Sequence, residues 1–435
     1  MRLQLLDESV RFSCGSCTAC CDQPWRTLIE YDKAQNLERH DFSRYPQLAG
    51  QTFYHPSSDG RTDVLELAKG AGTRCLFLDT DSLCIIHKEL GPEAKPHMCQ
   101  QFPFLPARTW TDDRVSANFG CPAVQRRSGT RLPEQASDIA AVVPVSTRPT
   151  RSDGETFLDQ SCKLSPEATE VLFDHALSIL GDDRAADVWQ CFAELLALLT
   201  ATRDTWQAHA KREKDNMVQS GSIGEVPVIR AYASPAAAPM PVRMLFAATL
   251  YPDTVPADVA SRTGFMRRLA MIPKLLSLAQ LSGTYPSRLL GRNVSIQDVM
   301  GHEVAPALEP AATHLLLRYY RSRFWQRMIA GTRLPVIAGV HQHIHDLNAI
   351  IFLARAEARA SGETQLTEPL IRQSLTLVEF HLANQSRLYE QTLRGWLRSR
   401  LSDSVLALQS LRLMALRPAP EPAETTDSSD RSTPV

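Results

Sequence analysis

The chain has 435 residues, 43% of them apolar and 22% charged, which is ordinary for globular protein and long enough for two or three domains. A formal net charge of −1 and a pI near 6.9 give no electrostatic footprint for nucleic acid or an anionic membrane. No apolar stretch reaches the roughly 18 residues that a membrane-spanning helix needs, so no membrane span is expected.

Met1–Arg11 contains no apolar run resembling a signal peptide, so a reducing, cytoplasmic setting is the simplest expectation. Next comes Cys14-Gly-Ser-Cys17-Thr-Ala-Cys20-Cys21, followed at longer intervals by Cys75, Cys84, Cys99 and Cys121. Eight of the ten cysteines thus fall within the first 121 residues, and only Cys162 and Cys191 lie outside. Thiolates are soft ligands, and C-x2-C spacing lets two sulfurs converge on one metal at little loop-closure cost. Disulfides would need an oxidising compartment, and cysteines acting as small core hydrophobes would not cluster.

The donor set leaves the metal open between an iron–sulfur cluster and zinc. Zinc sites of four thiolates often combine two separated C-x2-C pairs, and Cys75/Cys84 and Cys99/Cys121 are too widely spaced to be the second. Cys14-x2-Cys17-x2-Cys20 instead matches the first three ligands of the bacterial ferredoxin run, which ends in Cys-Pro. Cys121-Pro122 is a remote Cys-Pro that could close the set. An iron–sulfur cluster of the 4Fe–4S type on Cys14, Cys17, Cys20 and Cys121 is therefore expected, with zinc as the alternative. Cys21, Cys75, Cys84 and Cys99 then either support it or make a second site.

Further along, Trp25–Tyr31 reads as a strand leading into a helix near Asp32–Glu38, and Val64–Leu67 as a short strand. Asp79–Ser82 forms a tight turn between apolar arms, a hairpin that brings Cys75 and Cys84 together. Asp79 and Asp81 are turn residues rather than acids. Ile85–Leu90 is a short helix stopped by Gly91-Pro92. His87 and His97 could each replace one thiolate or donate a hydrogen bond to a ligand.

The order CxxCxxCC, Cys75-Leu-Phe-Leu-Asp, Leu83-Cys84-Ile-Ile-His, Lys95-Pro-x2-Cys99-x2-Phe-Pro-Phe104 and Cys121-Pro122 resembles the YkgJ family of cysteine-cluster proteins. That family carries a domain described as zinc- or iron-chelating. The same order is similar to the cysteine-rich half of flagellin lysine-N-methylases, and the likeness covers roughly residues 11–125. The YkgJ resemblance implies metal binding by the eight cysteines. The methylase resemblance implies methyl transfer from S-adenosylmethionine to a protein lysine, with flagellin as the partner. The compact Cys14–Cys21 spacing follows the YkgJ pattern, whereas the methylases open on a wider group.

Residues 131–164 read as a linker containing one strand-like run, Ala140–Val145. Ser165-Pro-Glu is an N-cap opening a helix with Leu172, Ala176, Ile179 and Leu180 on one face, closed by Gly181. A second helix has Val188, Phe192, Leu195 and Leu199 as its core stripe. After a Ser/Gly/Ala/Pro-rich break at 217–240, helices are expected over Val242–Tyr251, Ser261–Leu281, Leu315–Ile329, Pro335–Arg359 and Thr367–Arg400. Residues 416–435 form a polar, proline-rich tail expected to be disordered. The fold class is thus α+β and mostly α. A small irregular cysteine-rich domain (1–130) is followed by a larger helical one (165–415).

Outside the cysteines, His341 and His345 share a helix face, which suits a metal or, more plainly, helix–helix hydrogen bonds or a polar surface. The run Arg318-Tyr-Tyr-Arg321-Ser-Arg323-Phe-Trp325-Gln-Arg327 fits a helix with aromatics in the core and arginines outside, and nucleic acid is not expected as a partner. No G-x-G-x-x-G, Walker A or G-x-S-x-G motif occurs, and no catalytic residue or cofactor-binding residue can be named. A protein partner or substrate, or a role in metal storage or delivery, remains open.

Overall fold

The computed structural model describes residues 2–6, 10–23, 25–58, 60–70, 72–109, 112–143, 156–181, 187–210, 229, 237–254, 273, 275–301, 308–327, 335–382 and 400–415. The tail at 416–435, nearly all of the break at 217–240, most of Ser261–Leu281 and the 383–399 part of Thr367–Arg400 lie outside these residues.

The chain begins with β1 (Arg2–Leu5) and β2 (Arg11–Phe12), then β3 (Leu28–Glu30) runs directly into α1 (Tyr31–Arg39). The strand is shorter than Trp25–Tyr31 because Tyr31 already opens the helix, whose first turn carries the acid Asp32 where the helix dipole favours it. β4 (Tyr54–Pro56) and β5 (Val64–Leu67) complete an antiparallel sheet in the order β3-β5-β4, with Ile29 opposite Leu65. Twelve buried residues, from Ile29 and Leu37 through Phe42 and Phe77 to Ile85 and Ile86, form a small separate core beneath it.

The turn at Asp79–Ser82 is present. Asp79 N–H donates to Leu83 O, and Leu78 and Cys84 form an antiparallel bridge. α2 (Ile85–Leu90) ends at Gly91, whose φ of 84° lies in the region that glycine adopts at least cost. α3 (His97–Gln101) leads to β6 (Phe104–Arg108) and β7 (Asp112–Ala117), which pair antiparallel, while β1 adds to β7 in parallel. α4 (Pro122–Gln125) follows, and β8 (Thr130–Arg131) pairs with β2.

The strand-like run expected at Ala140–Val145 is instead the end of α5 (Ala136–Val142). Ile139 is its one buried residue and Asp138 sits in its first turn, so local helix preferences prevail over the β-branched Val142 and Val143. Residues 144 and 145 are outside the described set.

After the short β9 (Thr156–Phe157) and β10 (Lys163–Leu164), α6 (Pro166–Ile179) opens on Ser165, whose hydroxyl accepts from Ala168 N at 3.2 Å. α7 (Val188–Ala210), α8 (Met240–Leu250), the β11 (Thr284–Ser287)–β12 (Arg292–Ser295) hairpin and α9 (Ile296–Gly301) come next. They are followed by α10 (Pro310–Trp325), α11 (Val336–Ser361), α12 (Glu368–Leu377) and α13 (Ser404–Met414). α12 continues into a π-helical turn at Val378–Leu382. α11 is buried on nearly every side, its polar His341, His345, Asp346, Asn348 and Arg355 included, and packs against α7, α8, α12 and α13.

The fold is α+β and mostly α. One large hydrophobic cluster takes in Phe104, Val115, Ala117, Phe119 and Cys121 together with the helices from α6 to α13. The only parallel strand pair among the described residues is β1–β7, so no doubly wound sheet of the nucleotide-binding kind exists among them. No helix among them is long and apolar enough to cross a membrane.

Candidate metal centre

The run from Cys14 to Cys21 has no regular structure. Ser16 and Thr18 take left-handed φ values of 49° and 62°, a costly choice for residues with a Cβ, and it curls the segment on itself. Cys21 N–H and Asp22 N–H both donate to Thr18 O, at 2.8 and 3.0 Å. That turn sets Cys20 Sγ 3.8 Å from Cys21 Sγ. Cys75 N–H donates to Cys21 O at 2.8 Å, tying the next cysteine segment to the first.

The remaining three occupy helix starts. Cys84 immediately precedes α2, Cys121 immediately precedes α4, and Cys99 lies in the first turn of α3. The N–H groups of His87 and Ile86 favour a thiolate at Cys84, and those of Val124 and Ala123 do so at Cys121.

Two groups of neighbouring thiols stand out, joined through Cys20 and Cys21. In the first, burial pushes Cys121 up against the pull of the Val124 and Ala123 N–H groups, and neighbouring Cys17 and Cys14 add to the rise. Cys20 is raised by its hydrogen bond with Cys21, by burial, by the charge of Cys21, and then by Cys121 and Cys14. In the second, burial pushes Cys99 up to about 12, with Cys75, Cys21 and Cys84 adding to it. Cys75 is pushed up to about 11 by burial and by Cys21 and Cys84. Cys84 is raised by burial, countered by the His87 N–H and Lys95. Cys21 runs the other way, lowered to about 7 by the Cys20 hydrogen bond and by Lys95, Lys69 and Arg74.

Cys121 thus has Cys17, Cys14 and Cys20 as neighbours and Cys99 has Cys75, Cys21 and Cys84, while Cys20 and Cys21 couple first to each other and join the two groups. None of the eight is in a disulfide. Among the described residues no three His, Cys, Asp or Glu side chains converge tightly enough to enclose an ion as they lie. In donor chemistry the set nevertheless fits a thiophilic metal: eight thiols, three helix starts and three cations beside Cys21. His97 Nε2, on the same short helix as Cys99, is buried without a hydrogen-bond partner and is a further donor. His87 is exposed on α2.

The other singled-out residues belong to the helical core. His341 and His345 are fully buried, with stacked rings 5.0 Å apart. His341 Nε2 lies 2.8 Å from Ser410 Oγ and its Nδ1 3.2 Å from Leu401 O, while His345 Nε2 is 3.3 Å from the same hydroxyl. They are helix–helix contacts between α11 and α13, not a polar surface.

The arginines of α10 and of the turn that follows it overturn the expectation of an outward-facing stripe, since Arg318, Arg323 and Arg327 are all buried. Arg323 pairs with Glu379 and Arg327 with Glu170, while Arg318 donates to Gln125 O at 3.0 Å. Charge spacing alone could not reveal this, because the carboxylates and carbonyls that receive these arginines come from distant parts of the chain.

Residues 13–122 match a family model described as "CxxCxxCC: Putative zinc- or iron-chelating domain". A lysine-N-methylase of Salmonella typhimurium is 28% identical over 120 residues, 27% of this chain and 30% of that protein. The flagellar biosynthetic protein FliU of Salmonella muenchen is 27% identical over 119 residues, 27% of this chain and 70% of its own length. An uncharacterized protein of Methanocaldococcus jannaschii is 31% identical over 111 residues, 25% of this chain and 35% of that one. The chain thus spans about a third of the length of two of these relatives. No solved structure matches it.

Proposed function

We propose that the cysteine domain binds metal in two four-thiolate sites that meet at the Cys20–Cys21 dipeptide. Cys14, Cys17, Cys20 and Cys121 hold a 4Fe–4S cluster in this reading, and Cys21, Cys75, Cys84 and Cys99 hold a second metal. The observation that carries it is the turn that sets the Cys20 and Cys21 thiols 3.8 Å apart, with Cys75 N–H bound to Cys21 O at 2.8 Å and with Cys14 and Cys17 acting on Cys121. A cluster held there would supply one-electron redox chemistry. The residues themselves supply the ligands, the helix-start N–H groups that favour thiolates, and the cations Lys69, Arg74 and Lys95. Eight reduced thiols suit a reducing compartment such as the cytoplasm.

Anaerobic purification followed by iron, zinc and acid-labile sulfide analysis and an absorption spectrum tests the reading. Iron, sulfide and a broad band near ~400 nm are expected. Stoichiometric zinc without sulfide would replace the cluster by a structural zinc site, and a protein carrying neither metal would sink the reading altogether.

The likeness to a lysine-N-methylase favours a second reading, in which the helical half recognises a protein lysine and S-adenosylmethionine is the methyl donor. Methyl transfer to a co-expressed flagellin, followed by mass spectrometry of its lysines, tests it. An unmodified flagellin would leave the metal-binding reading alone.

A further inference from the structure

Three cysteine segments from different parts of the chain end on one aromatic ring of the helical half. Trp25, four residues after Cys21, meets Phe380 edge to face at 4.9 Å between ring centroids. Phe102, three residues after Cys99, lies 6.3 Å from Phe380 and 5.4 Å from Trp25. Gly120, immediately before Cys121, packs so closely on Phe380 that a Cβ there would sit 2.6 Å from the ring carbon Cε1 and 2.7 Å from Cζ. Real carbon atoms do not approach that closely, so residue 120 has room only for glycine while the ring stays in place.

Phe380 owes its position to the π-helical turn at Val378–Leu382. Such a turn inserts an extra residue into a helix and re-aims the side chains around it, and turns of this kind are frequent at functional sites. The buried ion pair between Glu379 and Arg323 anchors the turn, and Asn118 Oδ1 accepts from Gly120 N at 2.7 Å on the opposite side. Beyond Cys121, Gln125 Nε2 donates to Thr376 Oγ1 at 2.9 Å, so the segment bearing Cys121 is held by α12 as well. The Cys99 helix is tied to β3, where Leu28 N–H donates to Met98 Sδ at 3.0 Å and His97 N–H to Glu30 Oε2 at 3.2 Å, whereas Cys121 belongs to the large core shared with the helical half, and Phe380 touches both segments.

The geometry points to Phe380 as a positioning residue for the metal centre. Together with Trp25 and Phe102, it wedges the segments bearing Cys21, Cys99 and Cys121 into one arrangement and shields their thiols from solvent on the side of the helical half. This inference rests on the metal-binding reading above and assigns part of that function to the helical domain.

The test compares the metal-loaded full chain with Phe380→Ala, Phe380→Trp and Gly120→Ala. The readouts are bound metal, the rate of its transfer to excess chromogenic chelator, and the thermal unfolding midpoint. Phe380→Ala is expected to retain the wild-type stoichiometry yet release metal about tenfold faster, since it loses two aromatic contacts. Phe380→Trp should restore slow release, and Gly120→Ala, which displaces the ring without removing it, should release fast. Release at the wild-type rate in both Phe380→Ala and Gly120→Ala overturns the inference while leaving the metal-binding reading standing. So does fast release in Phe380→Trp that matches Phe380→Ala, because any damage to the helix would then account for it. If Phe380→Ala does not fold, Gly120→Ala and the Trp25→Ala variant decide by the same rates. A wild-type chain that takes up no metal removes both the reading and the inference.

Discussion

At the scale of single residues, the cysteines and the buried histidines make separate predictions. Replacing Cys17 by serine is expected to remove the metal of the first site and to leave some in the second. Cys84→Ser should do the reverse, so the two variants together account for the wild-type content. Full metal content in Cys17→Ser would take Cys17 out of the ligand set. In the helical core, burial holds His341 down to about 4 and His345 well below its ordinary value. The unfolded chain then binds more protons than the folded one between pH 6.5 and about 4. Stability is thus flat in these groups above pH 6.5 and falls as the pH drops, by about 3 kcal/mol for His341 alone. Denaturant unfolding at pH 7 and pH 4.5 should show this loss, and His341→Asn should show a smaller one. An equal loss in the variant would place the acid sensitivity elsewhere.

Among the elements, α10 carries the clearest energetic consequence. Arg323 and Glu379 are both buried, with side chains only 7% and 1% exposed. Arg323→Ala would strand the carboxylate and is expected to cost about 3–5 kcal/mol, read from the denaturant midpoint. The paired change Arg323→Met with Glu379→Leu should recover most of that loss, because a well-packed apolar pair needs no compensation. Elements with local signatures were legible in the sequence. The Asp79–Ser82 turn, α2 with its Gly91 stop and the Ser165 cap all rest on chemistry within a few residues. The arginines of α10 and the helix at Ala136–Val142 were not legible. Which side the arginines face depends on Glu379, Glu170 and Gln125, which no short window contains, whereas at Ala136–Val142 the β-branched Val142 and Val143 mask the local helix preference. The π-helical turn that aims Phe380 leaves no sequence mark either, although Gly120 beside a cysteine was a signal that something approaches closely there.

For the whole molecule, the eight cysteines and their order carry the resemblance to a zinc- or iron-chelating domain that the family match at residues 13–122 bears out. Which loops are braced by the helical half depends on long-range packing and could not be read. The two largest hydrophobic clusters among the described residues differ greatly in size, and the one under the cysteine segments has only twelve buried members. A core that small leaves much of the folding energy of its segment to bound metal. Stripping the metal from the full chain is therefore expected to lower amide protection over residues 14–101 while α7 and α11 keep theirs. Uniform protection before and after chelation would show that the cysteine segment stands without metal.

The exposure of the cysteines is uneven: Cys14 and Cys17 face solvent, whereas Cys121 is buried. A metal held by Cys14, Cys17, Cys20 and Cys121, as proposed, would have a front door. An incoming donor thiol would then swap partners with Cys14 or Cys17 before it reached Cys121, and exchange would proceed from the outer pair inward. An alkylating reagent applied to the apo chain should mark those two first.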